Sequence, residues 1–175
     1  HKEREEAKRA ISRFLTAHRA EDSRRLLATE HSFSVEFDLP DGERVRLRGF
    51  ADRVELDAEG GVIVVDIKTG KAVPSRDEVR EHPQLGLYQL AVGKGAVDDL
   101  LPEQALPAAS AGAELWQLRM STNELPKVQA QAPQQSDEGG WTLAERQTSA
   151  AASRVRAEDF VATPSEKTCR FCAFK

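Results

Sequence analysis

Asp52, Asp66 and Lys68 are the residues of this 175-residue sequence whose types and spacing could do chemistry. They stand in GFADRVELDAEGGVIVVDIKTG, Gly49 to Gly70, among residues that otherwise read as core. Strand side chains alternate with period two, so Asp66 and Lys68 share one face of VIVVDIK while Ile63, Val65 and Ile67 take the other. On the preceding strand the same alternation puts Asp52 with Phe50, Val54 and Leu56, and the turn DAEGG folds it back towards Asp66. Two adjacent carboxylates repel, and burying them is costly unless a cation compensates. A hard divalent ion would do so. Mg2+ takes few carboxylates, keeps several waters, binds phosphate oxygens and activates a water for in-line attack on phosphorus. Lys68 could orient that water or stabilise charge developing on the phosphate. The spacing also admits a surface hairpin in which Lys68 merely pairs with Asp66, although VIVVDIKTG is apolar on both sides, unlike an exposed strand.

The elements that must position these residues follow from periodicity. From Lys2 to Ala28, apolar residues at helical spacing among charges predict one or two amphipathic helices. SFSVEFDLP alternates Phe33, Val35, Phe37 and Leu39 on one face, and after DGE the run RVRLRGFADRVEL continues as strand. VIVVDIKT reads as a central buried strand, which makes three successive antiparallel strands. Asp77 to Val92 reads as a helix with Pro83 near its first turns, and Gly93 to Gly112 as loop or irregular insertion. AELWQLRM predicts a fourth strand, with Trp116 and Leu118 on one face and Leu115 on the other, and KVQAQAP a fifth. QQSDEGG is a polar loop, and Trp141 to Phe160 a final helix. The fold class expected is α/β: a mixed central sheet of about five strands, antiparallel meander first, with helices covering its faces.

Composition bounds the setting. The length suits one domain with a real core, and 39% hydrophobic with 31% charged residues matches an ordinary globular chain rather than a membrane protein. No apolar run approaches the roughly 20 residues of a membrane helix, and HKEREEAKRA lacks the apolar stretch of a signal peptide. A cytoplasmic location is expected. A net charge of -4 gives no global basic footprint, yet positive charge can be confined to one groove. Cys169 and Cys172 are the two cysteines. Their CxxC spacing reads as half of a metal or cluster site, with zinc and redox readings also open.

GFADRVE, VVDIKTG and QLGLYQL, in that order, resemble the successive motifs of the RecB-family nucleases, within the PD-(D/E)XK superfamily. The resemblance implies a restriction-endonuclease-like core, Asp52, Asp66 and the backbone carbonyl of Ile67 as ligands of Mg2+ or Mn2+, and Lys68 as the catalytic lysine. Gln84 and Tyr88 match the QxxxY pattern, and a spacing of four puts both on one helix face. Glu30 resembles the family's glutamate one strand earlier; a capping or surface role fits it as well. TPSEKTCRFCAFK looks like the start of the cysteine cluster of iron-sulfur members, where Cys169 and Cys172 would be two of four thiolates around a [4Fe-4S] cluster. The others are expected before His1 and beyond Lys175, so the chain looks like a C-terminal piece of a longer protein. The family's metal-site histidine is expected upstream as well, since His18 lacks the preceding glycine. The likeness extends to nuclease domains of helicase-nucleases of the AdnA and AdnB kind. It implies helicase motor domains, a partner subunit, single-stranded DNA ends as substrate and a place in recombination or double-strand break repair. No GxxxxGK[ST] loop is present, so ATP binding would belong to the motors. Arg46, Arg48, Lys71 and Arg76 are candidate phosphate contacts. The alternative is a nuclease-like module that binds DNA or a subunit without cutting.

Overall fold

The computed structural model describes residues 2–20, 23–103, 107–121, 123–162, 164 and 169. One five-stranded sheet, ordered β1-β2-β3-β4-β5, organises them. Its strands are β1 (Arg25–Asp38), β2 (Arg44–Leu56), β3 (Val62–Lys68), β4 (Ser110–Gln117) and β5 (Lys127–Gln131). The helices are α1 (Lys2–Ala20), α2 (Arg76–Arg80), α3 (Pro83–Gly93) and α4 (Leu143–Arg156), with a 3-10 turn at Asp98–Leu100. The first three strands run antiparallel, as their hairpin turns require. β3 and β4 run parallel, so the chain between them must cross over a face of the sheet, and α2 and α3 make that crossing. The expected mixed sheet with flanking helices is therefore present, the restriction-endonuclease-like arrangement.

β3 is central and buried on both faces, which is why its sequence is continuously apolar up to Asp66. Val62 and Val64 join Val54, Leu85, Tyr88, Val92 and Leu115 in the core beneath α3. Ile63 and Val65 join Trp116 and Leu118 against Ala10, Phe14 and Ala17 of α1. Asp57 closes the β2–β3 turn by accepting from the backbone N–H groups of Glu59 and Gly61, while Gly60 takes φ 86, a conformation that favours glycine. β1 and β2 are much longer than β3, so their outer halves form a two-stranded arm beyond it. Phe37, Leu39, Val45 and Leu47 of that arm pack on Leu90, Ala144 and Trp141.

Two expected boundaries move. Leu26 and Leu27 lie in β1, not in a helix reaching Ala28: Leu26 pairs with Glu55 and Ala28 with Val54 on either side of a bulge. The helix expected over Asp77–Val92 is two. α2 is capped by Ser75 and Glu78 in a reciprocal box, and α3 begins afresh at Pro83, whose ring cannot continue a preceding helix.

On the α1 face, buried charges of opposite sign meet. Glu55, fully buried, accepts from Nε of Arg53 at 2.5 Å and Nη1 of Arg24 at 3.3 Å. Glu114 accepts from Nη2 of Arg24 at 2.9 Å and Nε1 of Trp116 at 2.9 Å. Hydrogen bonding to Glu114 raises the Arg24 guanidinium above its already high range. Each buried charge thus has an opposite partner, as burial demands.

Gly112 fixes how β5 docks. Its φ is 119, and a Cβ there would sit 2.6 Å from the backbone oxygen of Gln131. Gly112→Ala is expected to cost about 1–3 kcal/mol from the backbone conformation. Urea unfolding reads this as a lowered midpoint, and an unchanged midpoint would mean that β5 yields freely. Among the described residues no helix is long and apolar enough to cross a membrane.

Candidate active site

The strand register places Asp52 opposite Asp66, since Arg53 pairs with Val65 one step earlier. Asp52 takes over where that ladder stops: its Oδ2 accepts the backbone N–H of Ile67 at 2.7 Å. The carboxylate therefore reaches sideways to β3. Here simple alternation fails. Ala51 and Val54 share the core beneath α3 although they stand an odd number of positions apart, and Phe50 is 66% exposed. The chain changes face at Asp52–Arg53, and Asp52 does not share a face with Phe50 as expected. Opposite it on β1 stands Glu30, between the pairs Thr29↔Arg53 and His31↔Ala51, with φ 50. A local break in regular pairing of this kind re-aims a side chain, as bulges do beside active sites.

Asp66 is 3% exposed. Nζ of Lys68 lies 2.6 Å from its Oδ2, and the same ammonium donates to Oε1 of Gln84 at 2.9 Å. Despite that charge neighbour, Oδ2 receives no hydrogen bond of good geometry and is buried. Gln84 donates to the Tyr88 hydroxyl at 3.1 Å, and Tyr88 donates to the carbonyl of Phe50 at 3.0 Å, with Oδ1 of Asp66 at 3.4 Å. The pairing of Lys68 with Asp66 is real, but it joins a buried carboxylate to a lysine whose side chain is 36% exposed, at the end of a central strand rather than on a surface hairpin. Spacing of four on α3 aims Gln84 and Tyr88 at one point, and the crossover lays that helix over the face of β3 that carries Asp66 and Lys68.

A family model described as the PD-(D/E)XK nuclease superfamily matches residues 1–175. The chain belongs to that superfamily. A solved structure, titled crystal structure of SSO0001, resembles this superfamily domain with a TM-score of 0.50 at 15% identity, over 92% of this chain. The chain spans 63% of that structure's length, and the likeness concerns fold alone. No curated protein matches.

In this PD-(D/E)XK domain the donor set fits a hard divalent cation. Two carboxylates and a backbone carbonyl offer only oxygen, and the buried Oδ2 of Asp66 lacks a well-aligned donor. Among the described residues no group of three or more His, Cys, Asp and Glu side chains lies close enough to share an ion, so Glu30, exposed on β1, does not complete a triad. Mg2+ tolerates that, since water and substrate phosphate fill its remaining positions. The cysteine pair fits a cluster less well: it supplies two of four thiolates, and Cys172 lies outside the described residues. His18 sits on the other side of the sheet, exposed near the end of α1, with Nδ1 3.3 Å from Nη2 of Arg53 and its ring stacked on Phe14.

Sequence reasoning missed His82. It stands at the N-cap position of α3, directly before Pro83, its Nδ1 is buried without a hydrogen-bond partner among the described residues, and burial first and Lys68 second hold its pKa below the ordinary value. A lone histidine before a proline carries no signal in sequence.

Burial, and then the Asp66 charge, pushes the Tyr88 phenol up to about 12. Tyr88 is thus a hydrogen-bond donor at neutral pH. A raised acid favours the folded state below its ordinary value of 10.0, and this contribution is lost as pH rises through about 12. Because the chain has a single tyrosine, ultraviolet titration reads it directly. Half-ionisation is expected near 12 in the native protein and near 10.0 in urea. Native ionisation at the urea value would mean that the phenol is solvated.

Proposed function

We propose that this domain is a metal-dependent deoxyribonuclease of the RecB type, hydrolysing phosphodiester bonds at single-stranded DNA ends. The observation that carries this reading is the convergence of Asp52, Asp66, Lys68, Gln84 and Tyr88 from two strands and a helix. Asp52, Asp66 and the carbonyl of Ile67 would hold Mg2+ or Mn2+. A cation so held supplies positive charge at the phosphate and makes its attacking water more acidic. Lys68, kept in reach by Gln84, orients that water and stabilises the charge that grows on the phosphate oxygens. Tyr88 fixes the strand beside the site by holding the Phe50 carbonyl, and its hydroxyl keeps the Asp66 carboxylate in place. The neutral His82 beside Lys68 adds no competing positive charge.

The motif order supports a nuclease part of a longer helicase-nuclease that works with motor domains and a partner subunit in recombination or double-strand break repair. Cys169 and Cys172 would there contribute to a [4Fe-4S] cluster completed by residues beyond this chain, and the setting would be cytoplasmic. The test is cleavage of linear single-stranded DNA with Mg2+, with Mn2+ and with chelator. Cleavage in the first two and none in the third is expected. Metal-independent cleavage, or none by the longer protein, would sink the reading.

A further inference from the structure

We propose that the outer face of the β1–β2 arm, centred on Phe50 and Arg48, is the surface that holds single-stranded DNA entering the site. Phe50 stacks on a base and Arg48 meets a phosphate. This rests on the nuclease reading and adds to it the residues that select an unpaired strand.

The position of Phe50 is fixed by the site itself. Its carbonyl accepts the Tyr88 hydroxyl at 3.0 Å, so the backbone cannot withdraw, while the ring is 66% exposed on the opposite face. Phe33, across from Gly49, occupies the inner face instead, with its ring 6.5 Å from that of Tyr88. The change of face at Asp52–Arg53 is what turns Phe50 outward. Two strand steps, roughly 7 Å, separate it from Asp52.

The strand partners leave this spot open. Phe50 pairs with Ser32 and Arg48 with Ser34, and a serine is too small to cover a ring and carries no charge to neutralise a guanidinium. Farther out on the same face the pattern differs. Arg46 pairs with Glu36, and Arg44 with Glu36 and Asp38. Arg48 alone of these arginines has no acid partner among the described residues. Thus the arm's charge is balanced at its tip and unbalanced beside the site, on a protein whose net charge is -4. A lone exposed aromatic is ordinary on a surface. One locked to the site by its own carbonyl and flanked by an unpaired cation has the two features that bind a single strand: a stacking platform and a phosphate contact. A duplex hides its base faces and offers Phe50 nothing to stack on.

The test measures binding of a fluorescent single-stranded oligonucleotide and of the matching duplex, in chelator so that no cleavage occurs. Phe50→Ala is expected to weaken single-strand binding about tenfold and leave duplex binding unchanged. Phe50→Trp should retain binding and show fluorescence quenching by the stacked base. An oligonucleotide with abasic positions should bind the wild type as weakly as the intact one binds Phe50→Ala. Arg48→Gln should reduce the salt dependence of binding by about 0.7 in log–log slope. The proposal is overturned if Phe50→Ala binds the single strand like wild type, if strand and duplex weaken equally, or if the wild type binds no single strand. Wild-type cleavage separately judges the nuclease reading, which can fail or hold whatever the binding arms give.

Discussion

Lys68→Ala is expected to slow cleavage by about 10²–10³-fold while cation binding persists, whereas Asp66→Asn abolishes both. The two differ because of what each holds. The Lys68 ammonium lies against Oδ2 of Asp66 and Oε1 of Gln84, so its removal frees the carboxylate for a cation but leaves nothing to steer water and phosphate. Asp66→Asn removes the buried negative charge that a cation would neutralise. Thermal unfolding with and without Mg2+ separates the outcomes, since a cation at 100 times its dissociation constant stabilises by about 2.7 kcal/mol. That increment should remain in Lys68→Ala and vanish in Asp66→Asn. Wild-type cleavage by Lys68→Ala would remove the lysine from the mechanism, and an undiminished Mg2+ shift in Asp66→Asn would move the cation elsewhere.

Glu55→Ala is expected to destabilise the fold by about 3–5 kcal/mol, the cost of breaking a buried ion pair from one side. Arg53, 4% exposed, would lose its carboxylate and keep, among the described residues, Nδ1 of His18 and the Trp116 ring, over which its guanidinium lies at 5.7 Å. Arg24 would retain Glu114. The double variant Glu55→Leu with Arg53→Met should recover most of the loss, because no charge is then left buried and unpaired. Urea unfolding of the single and double variants measures both. A loss under about 1 kcal/mol in Glu55→Ala would mean that water reaches Arg53. Catalysis should be little changed in the double variant, since these charges lie on the side of the sheet away from Asp66.

Much of the candidate site's arrangement was legible because strands and helices have fixed periods. Period two placed Asp66 with Lys68, and a spacing of four placed Gln84 with Tyr88. The hairpin turn at Asp57 then set Asp52 opposite Asp66. The same rule failed at Asp52 itself, where alternation put the acid with Phe50, and at Leu26 and Leu27, where apolar spacing imitated a helix. Both errors have one cause. Long paired strands bend and change face where a side chain replaces a ladder bond, as Asp52 does at Ile67, and where a bulge falls, as between Leu26 and Ala28. Such breaks depend on partners distant in sequence. The buried set of Arg24, Arg53, Glu55 and Glu114 was invisible for the same reason, since in sequence these look like surface charges.

The sequence by itself determined most of the elements, the superfamily motifs and the inventory of acids, lysine, glutamine and tyrosine, because these follow from local spacing and residue type. Only the tertiary structure decided that Asp66 is buried with the Lys68 ammonium against its Oδ2, that Asp52 reaches β3 in the sheet's plane, that Nδ1 of His82 is buried, and that Phe50 faces solvent. Each of these depends on a contact between segments far apart in the chain: β2 on β3, α3 over both, and the β1–β2 arm beyond them. A local pattern carries no information about which distant group will displace a strand bond or exclude water from a carboxylate.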